Sequence, residues 1–290
     1  MNKINALWRL MRPHQWLKNS FVFTGLLFGH AWHDTHLVMQ VLAAAVAFSL
    51  ISSAIYILND IVDCEQDKLH PVKCRRPLAA GQLSLTSAGV FSVILLMLAL
   101  GLAYLISMTV LVILLGYALM NLSYSLRLKH VVLLDVFIIA AGFMLRILAG
   151  TLGVGIPPSQ WLLLCGLMVT LFLGFAKRRA ELATLNEGGA VHRKVLAHYS
   201  PVLLDKMIGI TASGVVMSYS LYTMSPDTIR AHGTANLIYT VPFVLYGVFR
   251  YIYLLHKQDG GGDPSRELVR DKHLVLAVLA WGVVTVWLLR

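Results

Sequence analysis

Three aspartates in the stretch 59–77 are spaced so that their carboxylates could act together. Asp60, Asp63 and Asp67 recur three and four residues apart, a spacing that places them on one face of a helix. Like charges so arranged repel one another unless a positive charge lies among them. Because hard carboxylate oxygens suit Mg²⁺, the pattern indicates a magnesium site.

Basic residues follow the aspartates directly. Lys73, Arg75 and Arg76 are donors of the kind that bind phosphate oxygens, and protein-bound Mg²⁺ commonly bridges to substrate phosphates. The alternative is a solvated, charged loop between two membrane helices, but such a loop needs no regular acidic spacing. We therefore interpret 59–77 as a metal site beside an anion site.

The composition of the chain excludes an ordinary soluble domain. Of its 290 residues 58% are hydrophobic and 13% charged, about half the charged fraction of a soluble protein, and the mean hydropathy is +0.72. We expect a polytopic membrane protein without a removable signal peptide. The three cysteines form no CxxC pair, which argues against a disulfide framework or a zinc site.

Apolar segments of membrane-spanning length predict an all-α bundle of nine transmembrane helices in a single domain, 1–290. The predicted helices cover about 19–37, 38–58, 84–106, 108–126, 131–154, 159–176, 202–224, 235–255 and 273–290.

The distribution of basic residues predicts the orientation in the membrane. The amino-terminal segment and the loops 59–83, 127–130, 177–206 and 250–272 contain 21 of the 24 Lys and Arg residues. By the positive-inside rule these segments are cytoplasmic, and nine helices then place the carboxyl terminus outside the cell membrane. The net charge of +10 therefore reflects topology rather than nucleic-acid binding. Most acidic residues fall on the same side, so we expect a cytoplasm-facing site rather than the midplane site of a transporter.

Three further polar groups allow two interpretations each. Lys18 is either a basic anchor at the membrane surface or a phosphate ligand. Asp135 and Arg146 are about three helical turns apart inside an apolar run, so they either pair with other helices or line a cavity. Lys177 and Arg178, with Glu181 on the same helical face, are either a basic cap that ends a membrane helix or a second anion site.

The motifs together resemble the UbiA superfamily of intramembrane prenyltransferases, most closely its decaprenyl-phosphate phosphoribosyltransferase branch. The acidic motif Asn59-Asp60-x-x-Asp63-x-x-x-Asp67 is specific for the superfamily. His70-Pro71-x-Lys73-x-x-Arg76-Pro77, the nine predicted helices and a second polar loop after the sixth helix belong to the same superfamily resemblance. The narrower likeness rests on Arg12-Pro-x-Gln15-Trp16-x-Lys18-Asn19, Tyr124-Ser125-x-x-Leu128-Lys129, Leu145-Arg146 with Ala149-Gly150, and Lys177-Arg178-x-x-Glu181.

This resemblance implies a Mg²⁺-dependent enzyme that transfers 5-phosphoribose from phosphoribosyl diphosphate (PRPP) to a polyprenyl phosphate and releases diphosphate. Its implied partners are these two substrates and the membrane lipids. The implied metal ligands are Asn59, Asp60, Asp63 and Asp67, and the implied catalytic residues are Asp60, Asp63, Lys73 and Glu181. The implied substrate-binding residues are Gln15, Lys18, Asn19, His70, Lys73, Arg76, Tyr124, Lys129, Arg146, Lys177, Arg178 and Tyr199.

One departure from the superfamily pattern bears on the donor. Members that use prenyl diphosphates carry a second aspartate-rich motif after the sixth helix, where this chain has Lys177, Arg178 and Glu181. Basic residues suit a donor with an additional phosphate, and PRPP carries a 5-phosphate. The alternative is that a polyprenyl group is transferred from its diphosphate to an aromatic acceptor.

Overall fold

The computed structural model describes residues 3–69, 73–186, 194–257 and 270–289, and within these ranges the chain forms helices and turns without strands. Twelve α-helices follow one another along these ranges. They are α1 (Lys3–Met11), α2 (Thr24–Phe28), α3 (Thr35–Val62), α4 (Cys64–Lys68), α5 (Leu85–Ile106), α6 (Met108–Leu126), α7 (Leu134–Ala149), α8 (Gln160–Asn186), α9 (Pro201–Met224), α10 (Pro226–His232), α11 (Val241–Lys257) and α12 (Lys272–Leu288). Short 3-10 helices cover Pro13–Phe23, Lys73–Arg75, Leu128–His130, Leu152–Val154, Lys194–His198 and Asn236–Thr240.

Side-chain caps fix where several of the long helices begin. The Asp34 carboxylate accepts the backbone N–H groups of His36 and Leu37 at the start of α3. The Ser84 hydroxyl oxygen accepts the N–H of Ser87 at the start of α5. Such caps satisfy backbone donors that have no partner within the helix, so the sequence itself defines these helix starts.

The chain divides into two compact units, Met1–Leu126 with Leu145–Pro158, and Arg127–Met144 with Ser159–Arg290. In the first unit α3 packs against α5, α6 and the 3-10 helix Pro13–Phe23, around a core that includes Phe48 and Leu114. In the second unit α8 packs against α9, and α11 against α12, around a core that includes Phe172 and Leu204. Many large apolar side chains point outward, as expected for helices surrounded by lipid.

The all-α membrane architecture is confirmed, whereas the count of nine spanning helices is not. Among the residues that the structure describes, seven helical segments are long and apolar enough to cross a membrane, and α12 is apolar but only 17 residues long. The single domain predicted for 1–290 stays a prediction.

The first predicted span, 19–37, is wrong as a continuous helix. The 3-10 helix Pro13–Phe23 leads into the five-residue α2, and a turn separates α2 from α3. Gly25 approaches the backbone of Gly150 so closely that a Cβ atom on Gly25 would lie 2.1 Å from the Gly150 carbonyl oxygen. His30 then adopts a positive φ of 52°, a conformation that does not continue a right-handed helix.

The sixth predicted helix ends later than expected. We predicted a loop from 177 onward, but α8 continues to Asn186. The extension places Arg178 and Glu181 one helical turn apart, where their side chains form an ion pair. Such i,i+3 pairs support helix formation, and they explain why the helix outlasts its apolar segment.

Candidate active site

Two of the predicted acidic residues converge at the end of α3. Asp60 in its last turn and Asp67 in α4 are both 3% exposed. The helical hydrogen bonding continues across the junction, because Asp63 donates its N–H to the carbonyl oxygen of Asn59 and Asp67 donates to that of Asp63, both at 2.9 Å. Asp63 itself is half-buried at the junction. Backbone hydrogen bonds of helical spacing are therefore present, but α3 ends at Val62 and α4 begins at Cys64, so the three aspartates do not lie on one continuous helix. That Asp63 shares a face with Asp60 and Asp67 stays a prediction.

Basic side chains contact these two buried carboxylates. Arg76 Nη1 donates to Asp60 Oδ1 at 3.1 Å and to Asp67 Oδ2 at 2.6 Å. Arg12 Nη2 also donates to Asp60 Oδ1, and Lys73 Nζ lies 3.9 Å from Asp67 Oδ1. We call Arg12, Asp60, Asp67 and Arg76 the acidic cluster. Paired charges of this kind offset the cost of burying a carboxylate.

The carboxylate oxygens of Asp60 and Asp67 are ligands of the kind that a hard divalent cation prefers. The two carboxylates already converge on one positively charged atom, Arg76 Nη1, and Asp63 and Asn59 supply further oxygens close by in sequence. In the part of the chain that the structure describes, no group of three His, Cys, Asp or Glu side chains is gathered around a metal position. The set thus has the chemistry of a Mg²⁺ site, but the arginines supply its positive charge in this arrangement.

A second buried ionic group lies between α7 and α8. Arg178 Nε donates to Asp135 Oδ2 at 2.6 Å, and Arg178 Nη1 donates to Glu181 Oε2 at 2.7 Å. The side chains of Arg178 and Asp135 are 1% and 0% exposed, and that of Glu181 is 24% exposed. Arg178 therefore holds the partly exposed Glu181 carboxylate in place from within the helix bundle.

Tyr199 completes this second group. Its hydroxyl donates to Asp135 Oδ1 at 2.8 Å and accepts the backbone N–H of Leu133 at 2.7 Å. Leu133 has a positive φ of 66°, a strained conformation for a residue with a side chain. Burial, and next the hydrogen bond to the Asp135 carboxylate, raise the pKa of Tyr199 above its ordinary value. Tyr199 is therefore a neutral donor that ties the chain after α8 to the start of α7.

Arg146 forms a third buried polar group. Its Nε donates to Asn19 Oδ1 at 2.7 Å and its Nη2 donates to the Tyr117 hydroxyl at 2.9 Å. Its guanidinium also lies over the rings of Phe48 and Tyr117, 5.3 and 4.8 Å from their centroids, a favourable cation–π geometry. Of the two alternatives for Asp135 and Arg146, pairing with residues on other segments is confirmed.

The other predicted site residues are distributed along the helix ends. Five of them are half-buried. Gln15 and Lys18 lie on the 3-10 helix Pro13–Phe23, and Lys177 lies in α8. Tyr124 lies near the end of α6, and Lys129 lies in the 3-10 helix that follows α6. His70 lies outside the described residues.

The structure brings the predicted residues together in three sets. In the first set Arg76 contacts Asp60 and Asp67, and Lys73 lies near Asp67. In the second set Asn19 contacts Arg146, and in the third Glu181 contacts Arg178. Tyr199 joins Arg178 through Asp135.

Sequence reasoning gave no role to three residues that contact these sets, namely Arg12, Asp135 and Tyr117, whose hydroxyl accepts from Arg146. Arg12 was recognised as part of a motif but given no role, and Asp135 was given no place beside Arg178. The available signal for Asp135 was a lone carboxylate inside an apolar run, since intramembrane charges are commonly paired. No signal within the sequence pairs Arg12 with Asp60, because 48 residues separate them.

Comparison with known proteins extends this assignment. Residues 19–270 match the UbiA prenyltransferase family. The chain is 36% identical over 286 residues to the decaprenyl-phosphate phosphoribosyltransferase of Corynebacterium glutamicum, which covers 97% of this chain and 85% of that protein. It is 32% identical over 286 residues to the protein of the same name from Mycobacterium tuberculosis, with 97% of this chain and 93% of that protein covered.

A solved structure supports the same fold. A UbiA homologue from Archaeoglobus fulgidus, bound to GPP and Mg²⁺, superimposes with a TM-score of 0.71 over 98% of this chain and 96% of that chain, at 17% sequence identity. The all-α fold expected from the sequence resemblance is thereby confirmed. Because the family match and the relatives extend along nearly the whole chain, this protein is a member of the UbiA prenyltransferase family.

Proposed function

We propose that this protein transfers 5-phosphoribose from PRPP to a polyprenyl phosphate and releases diphosphate. The main support is identity of 32–36% along 97% of the chain to proteins named decaprenyl-phosphate phosphoribosyltransferase. The reaction breaks the bond between the anomeric carbon of the ribose and the diphosphate oxygen. A phosphate oxygen of the lipid forms the new bond to that carbon, and the bonding electrons leave with diphosphate.

The observation that carries the proposal is the convergence of buried carboxylates and guanidinium groups at the end of α3. Asp60 and Asp67, with Asp63 and Asn59, would hold Mg²⁺. A bound Mg²⁺ ion neutralises negative charge that develops on a leaving diphosphate. Arg76 and Lys73 donate to the diphosphate oxygens and add to this stabilisation.

Basic residues elsewhere bind the other phosphates of the two substrates. Lys18 and Lys177 are half-buried and bind the 5-phosphate or the lipid phosphate. Arg178 is buried and acts with Tyr199 to orient Glu181, which positions the donor. The remaining proposed substrate-binding residues are Gln15, Asn19, His70, Tyr124, Lys129 and Arg146.

The acceptor needs no strong general base. A lipid phosphate is already an anion at neutral pH, so the protein contributes positioning and electrostatic stabilisation. The basic sequence after the apolar part of α8 suits the 5-phosphate of PRPP, which a prenyl diphosphate lacks. This difference favours phosphoribosyl transfer over prenyl transfer.

We also propose a place and an orientation for the protein. It is a multi-pass protein of the cell membrane, its amino terminus is cytoplasmic and its carboxyl terminus is outside. The distribution of basic residues among the loops supports this orientation, which gives the site access to soluble PRPP.

The experiment uses purified protein in lipid nanodiscs with polyprenyl phosphate, Mg²⁺ and PRPP labelled with ³²P at the 5-phosphate. Phosphoribosyl transfer carries the label into the lipid fraction and releases unlabelled diphosphate. An unlabelled lipid fraction in a correctly folded preparation would contradict the proposal. A parallel reaction with polyprenyl diphosphate and an aromatic acceptor tests prenyl transfer.

A further inference from the structure

The protein already supplies the positive charge beside its two buried carboxylates. Asp60 Oδ1 accepts hydrogen bonds from both Arg12 and Arg76, and Arg76 Nη1 bridges Asp60 to Asp67. Two negative charges thus face two guanidinium groups within hydrogen-bonding distance. The four residues of the acidic cluster therefore carry no net charge, and Lys73 adds a further positive charge 3.9 Å from Asp67.

The backbone holds Arg12 in this position. Arg12 follows the last residue of α1 and has φ 55° and ψ 60°, a left-handed conformation that residues with a side chain seldom adopt. Pro13 begins the next helix, and the Arg12 guanidinium also lies 5.2 Å from the centroid of the Tyr56 ring. A defined turn therefore directs this side chain at Asp60.

A divalent cation that enters the acidic cluster without a diphosphate group binds unfavourably. The carboxylate oxygens that it needs are bonded to the guanidinium groups, and two positive groups would repel it. A diphosphate group changes this balance, because it brings negative charge and oxygen atoms that arginine binds in a two-pronged geometry. The arginines can then exchange a carboxylate partner for a diphosphate partner.

We propose that Arg12 and Arg76 are resident counter-ions that make metal binding depend on the diphosphate group of the donor. Without a donor, the two guanidinium groups neutralise Asp60 and Asp67. When donor and metal bind together, the guanidinium groups turn to the diphosphate oxygens and release the carboxylates. This inference rests on the proposed function. It adds that the donor strengthens binding of the metal ion, and that the metal ion strengthens binding of the donor by the same factor.

The test measures metal binding in the absence of substrate, with Mn²⁺ as the probe and loss of the free-ion EPR signal as the readout. Full-length protein in nanodiscs is compared with Arg12→Met, which removes one counter-ion and keeps an unbranched side chain. We expect weak Mn²⁺ binding by the wild type and binding about tenfold tighter by Arg12→Met, equivalent to about 1.4 kcal/mol. Arg76→Met is expected to change the affinity in the same direction.

Three controls separate this effect from general charge removal and from misfolding. Arg12→Lys keeps the charge and should bind Mn²⁺ about as weakly as the wild type. Arg75→Met removes an exposed charge next to Arg76 and should change the affinity little. The double variant Arg12→Met with Asp60→Asn should lose the increase in Mn²⁺ affinity. This loss would show that Mn²⁺ binds at the acidic cluster in Arg12→Met.

Thermal unfolding tests the dependence on diphosphate. We expect Mn²⁺ and inorganic diphosphate together to raise the wild-type melting temperature by more than the sum of their separate effects, and Arg12→Met to lose most of that excess. Equal Mn²⁺ affinities of Arg12→Met, Arg76→Met and the wild type would overturn the counter-ion role, even with wild-type phosphoribosyl transfer intact. Failure of that transfer in the wild type would instead overturn the proposed function.

Discussion

At the scale of single residues, the acidic cluster combines burial with opposite charge. Asp60 and Asp67 are nearly inaccessible to solvent, and burying a carboxylate is costly unless a cationic group is paired with it. Arg12 and Arg76 provide that partner while keeping side-chain exposures of 21% and 28%. Both arginine side chains therefore remain partly accessible to solvent.

Asp60→Asn and Asp63→Asn test the metal role of the carboxylates. Each change removes one negative charge but preserves size and polarity. The side chains of Arg12 and Arg76, the partners that Asp60 loses, are partly exposed and Arg76 keeps Asp67, so the fold should survive. Loss of charge stabilisation at the leaving group costs several kcal/mol, and each 1.36 kcal/mol is about a tenfold change in rate. We expect kcat/KM to fall about a hundredfold or more, with partial rescue at high Mg²⁺ or Mn²⁺. Wild-type activity and metal dependence of both folded variants would show that 59–77 is not the catalytic centre.

Asp135→Asn is the comparison variant for Asp60→Asn and Asp63→Asn, because it makes the same change at a carboxylate within an apolar helix. It leaves the buried Arg178 without its anionic partner in α7, a loss of the kind that destabilises proteins by about 3–5 kcal/mol. We expect a clearly lower thermal unfolding midpoint and an unchanged dependence of activity on Mg²⁺ concentration. Tyr199→Phe removes the hydrogen bond donated to Asp135 and the one accepted from the Leu133 N–H, and should cost about 2 kcal/mol. A shifted Mg²⁺ dependence in Asp135→Asn would connect this carboxylate to the metal site.

At the scale of helices and turns, the start of the chain shows why a hydrophobic run is not always a spanning helix. The segment 19–37 has the composition of a membrane helix but forms a 3-10 helix, a short α-helix and a turn. Gly25 and Gly150 allow two backbone segments to approach closely there. This arrangement depends on a contact between residues that are distant in sequence, which periodicity and composition do not contain.

Gly150→Ala tests the close approach. A Cβ atom at Gly150 would lie 1.7 Å from the carbonyl oxygen of Val22, so one of the two segments must shift. We expect a lower thermal unfolding midpoint and a loss of activity, since Asn19 and Arg146 are held by the same two segments. Gly116→Ala is the control, because nothing lies within 4 Å of the added atom in α6. Equal midpoints for the two variants would exclude the steric explanation.

Other elements were predictable because their signals are local. The predicted start of the third helix at 84 agrees with α5, which begins at Leu85 after the capping residue Ser84. Asp34 caps α3 in the same way, but the predicted second helix began at 38, so this start was placed too late. The aspartate spacing predicted one continuous helix, whereas the structure has helical backbone hydrogen bonds across a junction between α3 and α4. The pairing of Arg12 with Asp60 and of Arg178 with Asp135 was not predictable, since each joins side chains that are more than 40 residues apart.

At the scale of the whole molecule, the charge distribution sets the expected orientation. Single cysteines at Ser84 and Asp227 test it, after Cys64, Cys74 and Cys165 have been changed to Ser. Both target positions are exposed. We expect a membrane-impermeant thiol reagent to label the cysteine at 84 only from the cytoplasmic side and the one at 227 only from outside. Reversed labelling would place the site on the wrong face for soluble PRPP.

The most direct measurement of the central claim offers both donors to the enzyme at once. PRPP and a polyprenyl diphosphate are supplied at equal concentrations, with polyprenyl phosphate and an aromatic acceptor, and the lipid products are identified by mass spectrometry. We expect a polyprenyl phosphate whose mass has increased by one phosphoribosyl group, and no prenylated aromatic product. A prenylated aromatic product without the phosphoribosyl lipid would contradict the account.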